Sequence, residues 1–464
     1  MKKIIPFAAA ICLAVLSRWS ALGEEVRPLT LDEAVQFALK NDPAVVIARH
    51  GLSKAKLALK QEVWKVFPRA EVEGFYGYDP DSGKYPYDYT VAIKENIPTG
   101  LNFYGNKVVT GIEAAYWEQL NQEMQVKIAE ARAICDVTAL YLETLKAGNV
   151  NDLERKNLAR AEETDRLAAE QLKVGRISGT DRLKTRNNLV EARLNYERSR
   201  KDYELALMRL GMQIGLGDQE RIKPAAESHT EPSGLPPAKE MRDAILRDRL
   251  ELKQAVFEIK KAERVLAQAK NEILPVLTIG MNRSIEKRDE NESGTLEFGI
   301  TYNFLTGEFS WYSSGNRKYP VPVTAEPDKG RLLKLTLTWT LDGGAGSGIK
   351  AAELDVASAK TRKEQKAADL ILELEQARAN YEMAEATTNA REEEIPYYEK
   401  ETEAKRLEYR LGSASLADVS EAELNLAAAY TAALKAKYDQ NIAWQKLQLA
   451  LGKFYGFKVR ASGR

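Results

Sequence analysis

The feature that most constrains this chain is a pattern written twice, each copy joining two periodicities that no single element can hold. Long charged, alanine-rich stretches repeat apolar residues with the helical period, and short stretches between them alternate every second residue. The first copy carries Asp42-Pro43-Ala44-Val45, a helical stretch, Val66-Phe67-Pro68 and then a strand. The second carries Arg249-Leu250-Glu251-Leu252, a helical stretch, Ile273-Leu274-Pro275 and then a strand. Pro43 to Pro68 and Leu250 to Pro275 each span 25 positions, with no gap between the copies. Farther on, the run from Val174-Gly175 to Thr180-Asp181 matches the run from Leu411-Gly412 to Ala417-Asp418. Each run leads into helix that ends at a glycine 40 positions after its first, Gly215 and Gly452. Helical composition alone does not produce two ungapped matches so far apart. The reading is a tandem duplication, residues 24–222 and 240–464, joined by a linker at 223–239 that holds Pro224, Pro232, Gly234, Pro236 and Pro237.

The first residues are a different kind of segment. Lys2 and Lys3 precede an uncharged run from Ile4 to Leu16, and Ala21-Leu22-Gly23 offers a small-x-small cleavage site. This is the form of a secretory signal peptide over residues 1–23. The run is too short to span a bilayer as a helix. The mature chain then keeps a single thiol, Cys135, on an apolar helical stripe with Ile134, Val137 and Leu140, which predicts an inert core residue and no internal disulfide.

Between Pro98 and Pro224 there is no proline. A helix of about 65 residues there would reach ~100 Å, far beyond a globular core. Its apolar stripe is narrow, so it is stable only beside other long helices, as in bundles and coiled coils. The alternating segments are few: residues 70–78 and 87–95 in the first copy, 276–304 and 331–341 in the second. In the last of these, Leu333, Leu335, Leu337, Trp339 and Leu341 share one face and Lys334, Thr336, Thr338 and Thr340 the other. Apolar-out, polar-in alternation is what a transmembrane β-barrel strand requires. Four strands are too few to close a barrel, since eight is about the smallest. The chain must therefore pool its strands with other copies.

Several pieces together closely resemble the TolC-like outer-membrane efflux proteins, the outer-membrane factors of tripartite pumps and type I secretion systems. They are Leu29-Thr30-Leu31-Asp32-Glu33-Ala34 with Asn41-Asp42-Pro43, both helix–proline–strand junctions, Leu341-Asp342-Gly343-Gly344 after the last strand, and the two glycine turns. The resemblance implies a mainly α fold with membrane β: a long α-helical coiled-coil barrel, and four strands per protomer contributing to a trimeric 12-stranded transmembrane β-barrel. It implies a homotrimer in outer-membrane lipid that reaches into the periplasm and works with a periplasmic adaptor and an inner-membrane transporter. One departure stands out: Gly294–Phe304 offers a fifth alternating strand, and the stretch on to Gly330 reads either as an extended extracellular loop with its own strand or as the place of strand three.

The glycine turns have a plain structural reading. Gly175 or Gly412 ends one helix, Ser178 or Ser415 caps the next, and Asp181 or Asp418 sits three residues on as in a capping box. The resemblance adds function to the same residues. Asp418 and Glu421, with Asp181, would form acidic rings at a pore constriction, and Tyr409 would help hold the tip shut. Gly175 and Gly412 would be the turns on which adaptor hairpins dock. Some relatives carry an arginine where this chain has Ala414, so its tip must close by other contacts. Pro396 lies in the helix leading to the second turn, with Ala159 at the matching place in the first copy. It is either a tolerated kink or a hinge for opening.

Other classes fit poorly. Formal net charge is zero, so no basic stripe points to nucleic acid, and His50 and His229 are too far apart in sequence to suggest a metal centre. Gly343-Gly344-Ala345-Gly346-Ser347-Gly348 mimics a phosphate loop but lacks the dinucleotide spacing, so no cofactor and no catalytic residue is expected. The competing reading is a periplasmic adaptor or scaffold built on coiled-coil hairpins. It predicts one hairpin and no repeated amphipathic strands. Cargo is not legible, because pump and adaptor set it.

Overall fold

The duplicated sequence becomes duplicated elements of matched length. A computed structural model describes residues 27–80, 83–97, 107–216, 222–225, 234–271, 273–289, 292–304, 306–318, 331–339 and 344–455. The signal segment, the middle of the linker and the Leu341-Asp342-Gly343 junction lie outside the described residues. In chain order the elements are β1 (Arg27–Leu29), α1 (Leu31–Asn41), α2 (Pro43–Trp64), β2 (Arg69–Tyr76), β3 (Tyr87–Asn96), α3 (Lys107–Lys173) and α4 (Gly179–Ile214). After β4 (Ile222–Pro224) come α5 (Ala238–Asp248), α6 (Leu250–Asn271), β5 (Val276–Asp289), β6 (Glu292–Asn303), β7 (Glu308–Lys318), β8 (Arg331–Thr338), α7 (Ala345–Arg410) and α8 (Leu416–Ala450). Helices α2 and α6 both have 22 residues. The long helices α3 and α7 have 67 and 66, and α4 and α8 have 36 and 35. The start of the predicted linker is structured: β4 pairs in parallel with β1.

Each copy of the repeat contributes to two compact units. One holds residues 1–47, 127–249 and 369–464, the other 48–126 and 250–368. In the first, β1, α1, α3, α4 and β4 bury Leu29, Val35, Ile134, Val137, Tyr141, Leu210 and Ile214 together. Thr30 and Glu33 cap α1 reciprocally, the hydroxyl taking the Glu33 N–H and the carboxylate taking the Thr30 N–H. The Tyr141 hydroxyl lies 2.9 Å from the Leu29 carbonyl and 2.7 Å from that of Ala225, tying the small sheet to α3. The ends of the shorter helices are closed by the matching junctions. Asn41 donates to the Ile214 carbonyl at 3.0 Å, and the Arg249 guanidinium donates to the Leu449 and Ala450 carbonyls at 2.9 and 2.7 Å. Cys135 is 2% exposed and free, and burial pushes its thiol up to about 12.

The second unit holds one antiparallel sheet in the order β2-β3-β7-β6-β5-β8. Here the expectation of four strands per chain is corrected to six. The region read as a third strand, a fifth at Gly294–Phe304 and a loop contains three strands among the described residues, and β6 and β7 lie between β3 and β5. The turn at Gly307, with φ of 68°, sends the chain back along the sheet. It is held at the end of β3, where Ile97 N–H donates to the Gly307 carbonyl and the Asn96 amide donates to the Thr306 carbonyl at 2.9 Å. That end is the one from which β3 leads toward α3.

The alternation test misses β7 for a reason visible across the strands. Phe309 and Trp311 are followed on their face by Ser313 and Gly315, so the apolar signal stops halfway. Gly315 stands directly opposite Tyr89 of β3, and a Cβ there would meet the Tyr89 ring at 2.6 Å. On the other face, Gly299 of β6 stands opposite Tyr312 of β7, and a Cβ at 299 would overlap that ring. The apolar payload at these positions comes from the neighbouring strand.

Candidate functional site

Two structures carry the functional reading: the amphipathic sheet and the paired hairpin tips. In the sheet, register puts Leu333, Met281, Ile300, Trp311, Ile93 and Ala70 in one row across all six strands. Most of this face is open: Leu333, Leu335 and Leu337 are at least 66% exposed, and Met281, Ile93 and Val72 are exposed too. The opposite face is polar. Its adjacent rows carry Lys334, Thr301, Ser310, Lys94 and Arg69, then Asn282, Tyr312 and Glu71. Glu297 accepts from Asn282 and from the Tyr312 hydroxyl at 2.9 Å each, joining β5, β6 and β7 on that side. Among the described residues no helix is long and apolar enough to cross a membrane.

The tips are built by one local grammar. At the first, Arg176 N–H donates to the Gln171 carbonyl at 2.9 Å and Gly175 N–H to that of Leu172 at 3.0 Å. At the second, Ser413 N–H donates to Glu408 at 2.9 Å and Gly412 N–H to Tyr409 at 3.1 Å. This crossed pair requires a left-handed residue, and Gly175 and Gly412 supply it with φ of 72° and 77°. A side chain at either position would meet open space, so the backbone angle demands glycine here, not crowding. The next helix begins with Ser178 or Ser415 accepting the N–H of Asp181 or Asp418 at 3.0 or 3.1 Å. Only the second tip completes the capping box, with Ser415 N–H donating to the Asp418 carboxylate at 2.9 Å. At the first, the Ser178 hydroxyl itself donates to Asp181 at 2.7 Å.

The predicted site residues therefore gather at or near the tips, except Pro396. The Ser415 N–H and hydroxyl hold the Asp418 carboxyl below its ordinary 3.8, and Lys184 and Lys405 add to this. Glu421 stands exposed one helical turn farther along. The Tyr409 hydroxyl accepts from the Gln171 amide at 2.6 Å, linking the two hairpins. Asn188 and Ser420 add a second link at 3.1 Å. Pro396 is exposed, and α7 continues helical on both sides of it.

Sequence reasoning missed Gln171 and the clamps within each hairpin. In the first, the Arg182 guanidinium forks the buried Asp165 carboxylate, one arm at 3.0 Å. In the second, buried Thr402 occupies the place matching Asp165, its hydroxyl 2.7 and 3.2 Å from the Tyr398 and Ala422 carbonyls. A more exposed pair, Arg406 with Glu423 at 2.6 Å, supplies the charge there. A search for opposite charges 17 residues apart across each turn would have found both pairs.

Sheet and tips are the parts of one class, the TolC-like fold. The family model described as outer membrane efflux protein matches residues 241–453. Those residues carry the family's signature, and the first repeat, outside the match, forms elements of the same order and length. The CmeC outer membrane channel of Campylobacter jejuni has a similar fold, with a TM-score of 0.67, 16% identity, and 93% of this chain and 87% of that one covered. The outer membrane protein VceC of Vibrio cholerae gives 0.67 at 14% identity over 91% and 96%. CusC, described in terms of transmembrane channel formation, gives 0.68 at 15% over 91% of both chains. No curated protein sequence matches the chain.

Proposed function

We propose that three copies of this chain form a tunnel across the outer membrane and periplasm, through which an inner-membrane transporter, joined by a periplasmic adaptor, exports small molecules or proteins. The observation that carries this reading is the sheet. It exposes one apolar face, lines the other with polar groups, and leaves β2 and β8 unpaired on their outer edges. Such an element satisfies its backbone and its apolar side together only in a closed ring within lipid.

The hairpin tips are the gate. Three copies would set Asp418 and Glu421, with Asp181, around the axis as acidic rings that favour cations. The Gln171–Tyr409 link opposes separation of the two hairpins within each chain. Gly175 and Gly412 present bare backbone to an adaptor. The polypeptide needs no cofactor for this role, since the pump supplies the energy.

The test is direct. Outer-membrane fractions run on unheated and heated gels should give a band near three times 51.9 kDa that collapses to the single chain on heating. Purified material should conduct in planar bilayers. A water-soluble monomer that never sediments with envelope lipid is the outcome that ends the reading.

A further inference from the structure

The β6–β7 hairpin gives this chain a sheet of six strands where four were expected. We infer that the hairpin is part of the barrel wall, so that three copies close an eighteen-stranded cylinder, each joining its β8 edge to the β2 edge of the next. The inference rests on the trimer reading above and specifies what that trimer's membrane part is made of.

Three observations carry it. First, the hairpin is stitched into the middle of the sheet. Along its whole length β7 pairs with β3 from Tyr87–Arg317 to Asn96–Glu308, and β6 pairs with β5 over twelve positions. A loop packed over a finished barrel would leave β3 paired with β5, whereas here they do not touch as neighbours. Second, the glycine–tyrosine pairs fix that register from both faces: Tyr89 lies over Gly315, and Tyr312 over Gly299. Cross-strand pairs of this kind act only between adjacent strands. Third, the hairpin obeys the wall's polarity. Ile300, Phe298 and Trp311 continue the exposed apolar face, and Thr301, Ser310 and Glu297 continue the polar one.

The edges are fitted to a second copy. Every neighbouring pair is antiparallel, and with an even number of strands β2 and β8 run in opposite directions. The β8 strand of one copy therefore meets the β2 strand of the next antiparallel, as outer-membrane barrels require. Both edge strands have eight residues, and the apolar face reaches both, through Leu333 and Leu335 at one side and Val72 at the other. One copy cannot close alone, because six strands fall below the smallest membrane barrel. With strands about 4.8 Å apart and tilted by roughly 40°, eighteen give a mean diameter of ~36 Å and twelve ~24 Å. The outer-membrane mouth is widened by half while the tips are untouched.

Paired cysteines in the full-length protein, in native outer membranes and with Cys135→Ala as background, test this. Thr90→Cys with Ser314→Cys joins β3 to β7, and Thr90→Cys with Thr278→Cys or Ser284→Cys joins β3 to β5. Val72→Cys paired in turn with Leu333→Cys, Leu335→Cys or Leu337→Cys scans the edge with a short thiol cross-linker. The expected result is a β3–β7 disulfide within one chain, no β3–β5 disulfide, and an edge pair that yields a heat-resistant covalent trimer. A trimer on the unheated gel with β3–β5 disulfides overturns the eighteen-stranded wall and leaves the trimer reading intact. A β3–β7 disulfide in a species of two copies, or of one, overturns both.

Discussion

The hydroxyl of Tyr409 accepts a hydrogen bond from the Gln171 amide at 2.6 Å, across 238 residues of chain and between the last turns of the two longest helices. Tyr409 and Gln171 each also offer the backbone carbonyl that closes their own tip. One bond thus couples the two turns. Removing the hydroxyl in Tyr409→Phe costs about 1 kcal/mol of tip cohesion. Mean conductance in bilayers should rise several-fold through a larger open fraction, while the heat-labile trimer stays the same. Unchanged open probability removes Tyr409 from the gate.

Asp418 is ionised more readily than an ordinary carboxyl because the Ser415 N–H and hydroxyl bind its charged form, aided by Lys184 and Lys405. A lowered folded value means its stabilising contribution is present at neutral pH and is lost only as pH falls through that value. Asp418→Asn should cut the cation-to-anion permeability ratio at pH 7 by at least twofold. In the unmodified channel the share of the ratio that Asp418→Asn removes should persist to lower pH than an ordinary aspartate would allow. Reversal potentials under a salt gradient measure both.

The clamp at Asp165 differs in kind from its counterpart at Thr402. Arg182→Ala leaves a buried carboxylate only the more distant Arg186, at 3.7 Å, and should destabilise the first hairpin by about 1–3 kcal/mol. Arg406→Ala removes a solvent-facing pair from the second hairpin and should cost about 1 kcal/mol or less. Protease nicking near each tip, followed by mass spectrometry, reads the difference. The second hairpin is the looser of the two, and equal nicking in both variants contradicts that ranking.

Pro396 lacks an N–H to give the Glu392 carbonyl, yet α7 runs through it on an exposed surface. Pro396→Ala should stabilise that part of α7 by roughly 1–3 kcal/mol. Efflux should be unaltered if the proline is a tolerated kink. A fall in efflux with intact trimers makes it a hinge.

Cys135 should resist alkylation at pH 8 in the folded trimer and react fully once denatured, since its thiol is buried and pushed up to about 12. Labelling by iodoacetamide before and after denaturation decides this.

Much of this protein was legible in order of residues. The duplication, the helix–proline–strand junctions and the glycine-ended tips are local. Their signals are periodicity, a missing N–H and a left-handed angle, and each is settled within a few neighbours. Gly175, Gly412, Ser178 and Ser415 could be placed for that reason. The strand β7 and the pairing of Gln171 with Tyr409 could not. In each, the decisive partner is remote in sequence: Tyr89 fills the space over Gly315, Tyr312 fills that over Gly299, and Tyr409 satisfies Gln171. Alternation fails at β7 because half of what covers its apolar face is carried by another strand. Local backbone preference was written in the chain, while strand count, register and the links between hairpins were decided by which distant side chains came to share a surface.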